Sequence, residues 1–124
     1  MCSLYELEQK KDLYDDVLQV LKALQGPSGQ TLSPSQINQW LEYAFNTEDK
    51  NRILIFIMRQ AARQHLENGA TKMIHIFQSE NMGVEDIRKF LGLLKWLLES
   101  EIRPDVLKSA NSFQDLIARY SSGG

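Results

Sequence analysis

The chain has 124 residues, 43% of them hydrophobic and 24% charged, with 14 Lys and Arg against 16 Asp and Glu for a net charge of −2. That length holds one ordinary domain, and that balance is of a folded globular protein, not a disordered one. The longest uninterrupted apolar run, Ile53 to Met58, is about a third of the roughly 20 residues a membrane helix needs.

The N-terminus moves from Met1-Cys2-Ser3-Leu4-Tyr5-Glu6 straight into charged residues, unlike a secretory leader. Cys2 is the single cysteine. It cannot form an internal disulfide, which points to a reducing, cytoplasmic compartment. Ser3 with Glu6 reads as a capping box, and Leu4, Leu7, Tyr14, Val17, Leu18, Leu21 and Leu24 follow at the three- and four-residue spacing of an amphipathic helix. Gly26-Pro27-Ser28-Gly29 stops it. The next helix opens on Ser33 as N-cap, Pro34 at the first helical position and Gln36 completing a second capping box. Its predicted buried face is Ile37, Trp40, Leu41, Ala44 and Phe45.

A third helix is predicted over about 48–67, with Asn68-Gly69 as its left-handed C-cap. A shorter one carries Met73, Ile74, Ile76 and Phe77 and breaks near Asn81-Met82-Gly83. The fifth covers about 84–100, with Ile87, Phe90, Leu91, Leu94, Leu97 and Leu98 inward. Pro104 starts a last short helix, and Phe113, Leu116 and Ile117 close the C-terminal end of the core. The expectation is an all-α, single-domain bundle of five to six helices over residues 1–120, with 121–124 a flexible tail. Trp40 and Trp96 read as core aromatics with one wet edge.

Charge is unevenly spread. Residues 1–49 hold three basic and eight acidic side chains, whereas residues 50–95 hold eight basic and four acidic ones. An acidic first third joined to a basic middle implies two kinds of neighbour, or copies stacking head to tail. The third helix concentrates the question. Ile53 to Met58 point in nearly every direction around its axis, the pattern of a helix in the middle of a bundle. Yet Arg52, Arg59 and Arg63 fall within a strip of roughly 40° at about 100° per residue. Guanidinium forks match phosphate and stay charged, so the strip can follow a nucleic-acid backbone without reading bases. The competing account pairs these arginines with Glu48, Glu67 or the acidic first helix.

Other chemistries have little to stand on. His65 and His75 lie ten residues apart across a glycine break, and neither they nor Cys2 have companions at ligand or nucleophile spacing. Asp12, Asp15 and Asp16 sit on the polar side of the first helix, and no glycine-rich phosphate loop or Gly-x-Ser-x-Gly elbow is present. The polar strip of the fifth helix reads as solvated, with Lys95 and Glu99 able to pair. Gly92 between Arg88 and Lys95 leaves room for another backbone to approach. No catalytic residue, cofactor or small-molecule substrate is expected.

Three segments, in order, resemble the Csm-type small-subunit family of type III CRISPR effector complexes. They are Thr31-Leu32-Ser33-Pro34-Ser35-Gln36-Ile37, then Arg52 to Gln64 ending Arg59-Gln60-Ala61-Ala62-Arg63-Gln64, then Gly83 to Glu99 with Ile87-Arg88-Lys89-Phe90 and Trp96. Asn38 and Gln39 stand where that family is usually basic, and residues 102–120 extend past its usual end. The resemblance implies a non-catalytic helical subunit, present in several copies, that lines an RNA-guided complex beside its other subunits and touches the guide or target RNA backbone. Carried over by position, contacts fall on Arg59 and Arg63, with Arg52 added by the strip geometry and Arg88 and Lys89 by the third segment. The alternative is a helical adaptor or regulatory homodimer in which the arginines meet acidic protein partners.

Overall fold

Each helix turns one apolar stripe inward, and the stripes meet in a shared core. The computed structural model describes residues 2–24 and 32–122, with side chains from residue 13 onward. Among these residues there are seven helices and no strand: α1 (Cys2–Ala23), α2 (Pro34–Phe45), α3 (Lys50–Gln64), α4 (Glu67–Ser79), α5 (Val84–Glu99), α6 (Pro104–Ser109) and α7 (Phe113–Ser121). Ser3 and Glu6 lie within α1, where only the backbone is described, so the predicted capping box falls outside the described side chains, and the Gly26–Gly29 stop lies outside the described residues. No described helix is long and apolar enough to cross a membrane.

The main contacts close a ring: α1 packs on α5, α5 on α2, α2 on α3, α3 on α4, and α4 back on α1. Into it point Leu18 and Leu21 from α1, Ile37 and Trp40 from α2, Ile53 and Ile57 from α3, Met73 and Phe77 from α4, and Ile87, Phe90 and Leu94 from α5, all buried. Phe77 and Phe90 meet edge to face with centroids 5.1 Å apart, which locks α4 to α5 through the middle. The indole of Trp40 is 1% exposed, and its Nε1 has no hydrogen-bond partner among the described residues. Burial of that N–H costs about 1–3 kcal/mol, set against the apolar area the ring removes from water.

Local chemistry sets the helix ends. At α2 the Gln36 N–H donates to Ser33 Oγ (3.2 Å) and the Ser33 N–H to Gln36 Oε1 (2.7 Å), the reciprocal cap its sequence encodes. α3 ends earlier than periodicity predicts. His65 takes the left-handed conformation at φ 58°, and the Leu66 N–H bonds back to the Ala61 carbonyl at 2.9 Å. This turns buried Leu66 inward, so a residue without glycine's freedom serves as the cap. Asn68-Gly69 instead opens α4, where Gly69 lets α4 approach Leu24, the residue just past α1, closely. The same device recurs at Asn81 (φ 51°), with the Met82 N–H on the Phe77 carbonyl.

The C-terminal segment forms two helices, not one, and α7 continues as far as Ser121 into the predicted tail. It is pinned to α1. Asp15 Oδ1 accepts the Phe113 N–H at 2.7 Å, Lys22 Nζ donates to the Ala110 carbonyl at 2.7 Å, and Tyr14 stacks on Phe113. An acid of the first helix thus completes the N-terminus of α7, where the helix dipole favours negative charge. Within α7 the Asp115 carboxylate accepts the Asn111 N–H and lies 3.2 Å from Arg119 Nε. The backbone bond first, and then Arg119, hold its pKa below the ordinary carboxylate value.

Candidate functional site

The arginine strip owes its position to the way α3 starts and ends. Asp49 caps α3 by accepting the Asn51 N–H at 3.0 Å, and Thr47 Oγ1 accepts the Asp49 N–H in turn. From that start Ile53, Leu54, Ile57 and Ala61 face the ring, and Phe56 lies sideways, stacked parallel on Tyr43 of α2 at 4.3 Å. These contacts fix the rotation of α3.

Arg52, Arg59 and Arg63 therefore face outward, all exposed. This corrects the expectation of a central helix. α3 is one wall of the ring, with Ile55 60% and Met58 50% exposed on its outer side next to the arginines. Arg59 and Arg63 stand one turn apart, about 6 Å along the axis, and Arg52 lies about 10 Å before Arg59. Arg52 Nε sits 3.7 Å from Asp49 Oδ2 with both side chains largely in solvent, a surface pair of little energetic weight. Arg59 and Arg63 meet no carboxylate among the described residues. Neither pairs with Glu48 or Glu67: Glu67 is exposed and in no ion pair among the described residues, and Glu48 is held by another arginine.

That arginine is Arg88. Its Nε donates to the Ala44 carbonyl (2.8 Å), and its Nη2 to the Thr47 carbonyl (3.1 Å) and Glu48 (2.9 Å). Nη1 donates to Glu85 (2.8 Å), and the guanidinium lies 5.2 Å from the centre of the Phe45 ring. The hydrogen bond to Glu48 is the first cause that raises its pKa above the usual guanidinium value. Arg88 closes the C-terminal end of α2 by satisfying a free carbonyl and its dipole, and four of its five N–H donors are used inside the chain. Phe45, expected in the core, is exposed and serves as the platform beneath it.

Lys89 is exposed, but it stands on α5, whose ring neighbours are α1 and α2, and not on the helix of the strip. It shares a stripe with Leu93 and Trp96. Trp96, read as a core aromatic, is 69% exposed and lines a groove with Tyr14, Leu97, Ile117 and Tyr120. Helical arithmetic contains the signal: Ile87, Phe90, Leu91, Leu94 and Leu98 already complete one inward arc, and Trp96 lies outside it. Lys95 and Glu99 do not pair. His65 and His75 are exposed, and among the described residues no group of three or more His, Cys, Asp or Glu could hold a metal ion.

No protein-family model, curated protein or solved structure matches this chain.

Proposed function

We propose that this chain is a non-catalytic subunit that binds the phosphate backbone of RNA through the outer face of α3, in an RNA-guided complex of the type III CRISPR kind. The observation that carries the reading is the pair Arg59 and Arg63: exposed, one turn apart, and without a carboxylate partner among the described residues. A solvent-facing guanidinium fork with nothing to hold is matched to phosphate oxygens. Arg52 extends the rail once its loose contact with Asp49 is exchanged for phosphate. The three-segment resemblance supports the choice of RNA and of a multi-subunit setting. Affinity of the isolated chain is expected to be weak, because its net charge is negative and each copy meets only a few phosphates.

Ile55 and Met58 favour a second reading, in which the same face docks an acidic and apolar protein surface. Arg59→Ala with Arg63→Ala separates the two. The fold stays intact because both side chains are in solvent. On the first reading RNA affinity falls, and on the second only association with a protein partner is lost. A double variant that binds both like wild type refutes both readings.

A further inference from the structure

The molecule has a second unexplained surface, away from the arginine strip. A groove of about 370 Å3 runs between α1, α5 and α7, lined by Tyr14, Leu93, Trp96, Leu97, Ile117 and Tyr120 among others, with no charged residue. Trp96 and Tyr120 are 69% and 64% exposed, and Ile117 and Tyr14 are also open to solvent. Scattered apolar residues on a surface need no explanation, but a contiguous aromatic set beside a concavity does.

We infer that this groove is a self-association surface, in which two copies of the chain pair about a two-fold axis and each Trp96 enters the groove of the other. Three features support a second copy as occupant. The patch carries both a protruding indole and a hollow, which is the self-complementarity a two-fold interface requires. The area is of the right order. At 150–250 Å2 for a large aromatic side chain, the exposed parts of Trp96 and Tyr120 alone present about 300 Å2. That is over a third of the roughly 800 Å2 each partner contributes to a standard interface. Charges of both signs adjoin the lining residues: Lys89 on the stripe of Leu93 and Trp96, and Glu99 and Glu101 on either side of Ser100, none in an ion pair among the described residues. A two-fold axis can set opposite charges against each other across such a rim, whereas a lining without cations offers nothing to phosphate.

Gly92 helps. It lies one turn before Trp96, and nothing stands within 4 Å of the place its Cβ would occupy, so a second α5 can come near there. Trp and Tyr are the side chains that most often dominate such contacts.

Sedimentation equilibrium of the full chain tests this across a concentration series, with Trp96→Glu and Ile117→Glu measured beside wild type. Both side chains point outward, so helicity by circular dichroism is expected to stay at the wild-type level. Wild type is expected at about twice the 14.3 kDa chain mass. Each variant is expected to weaken the dimer roughly thirtyfold or more, the effect of losing a hot-spot side chain. The Arg59→Ala, Arg63→Ala variant is expected to dimerise as wild type does, which separates this surface from the RNA face. A monomer at every concentration overturns the inference, and so does a dimer unaffected by both groove substitutions. A monomer whose RNA affinity falls on Trp96→Glu also overturns it and makes the groove a base-stacking face.

Discussion

Replacing Gly69 by alanine pushes a methyl group into α1. A Cβ at that position overlaps Leu24 Cδ2, lies 2.6 Å from its Cγ and 3.1 Å from its Cα. Carbon atoms in contact stand about 3.5–4.0 Å apart, so the methyl group intrudes by the better part of an ångström. Leu24 is 1% exposed and its backbone hydrogen-bonds to Val20 and Leu21, so relief requires the end of α1 to shift. Overpacking of this kind costs about 1–3 kcal/mol. Alanine returns at most about 0.5–1 kcal/mol of helix propensity, and less in a first turn. A net loss of about 1–2 kcal/mol follows, a drop in melting temperature on the order of 5 °C for a chain of this size. Gly92→Ala is the control of opposite sign: within one chain its site is open, so at concentrations where the chain is monomeric propensity alone acts and stability rises by about 0.5–1 kcal/mol. Thermal and urea melts by circular dichroism read both. If Gly69→Ala is as stable as wild type, the close approach of α4 to α1 is not as described.

Arg88→Ala is expected to lower the melting temperature while leaving RNA affinity unchanged, because its hydrogen bonds go to α2 and to Glu48 and Glu85. Arg88→Lys recovers only part of that loss, since an ammonium cannot reproduce the fork. Phe90→Ala removes the centre of the ring and the edge-to-face pair with Phe77, at a cost of about 3–5 kcal/mol by urea denaturation. Asp115 sets an acid-side dependence. Its folded pKa lies below the reference value of 3.8, so folding favours the charged form. Its contribution is complete above that reference value and is lost as pH falls through the lowered native value. Melts of Asp115→Asn against wild type are therefore expected to differ most near neutral pH and to converge in strong acid; a difference independent of pH would count against this account.

Most of the fold was legible because capping chemistry is local. The Ser33–Gln36 box, Pro34, the break at Asn81–Gly83 and the start at Pro104 all rest on residues within a few positions of one another. Where reading failed, tertiary contacts decided. Ile53 to Met58 looked like a helix buried all round, but Tyr43 and α4 fix one face of α3 and leave Ile55 and Met58 outside. Asn68-Gly69 looked like a stop, yet burial of Leu66 ended α3 three residues earlier and left Gly69 for a helix contact. Arg88 was expected to be a nucleic-acid contact, and its partners Ala44, Thr47 and Glu48, 40 or more residues away, cannot be found by spacing. Asp15 as the acceptor for α7 is a contact of the same kind, 98 positions long. The arginine strip was legible as geometry. That Arg59 and Arg63 meet no carboxylate among the described residues was not, because it depends on the placement of side chains that spacing leaves open, Glu67 four residues past Arg63 among them.

The central claim is that Arg59 and Arg63 each hold a phosphate, and the salt dependence of RNA binding tests it most directly. Affinity for a single-stranded RNA is measured by fluorescence anisotropy over a series of salt concentrations, for wild type and for the Arg59→Ala, Arg63→Ala variant. Each phosphate neutralised on a single strand contributes about −0.7 to the slope of log K against log salt. Loss of both contacts is expected to make the slope shallower by about 1.4 and to weaken binding most at low salt. An identical slope in the variant, or wild-type binding insensitive to salt, would contradict the account.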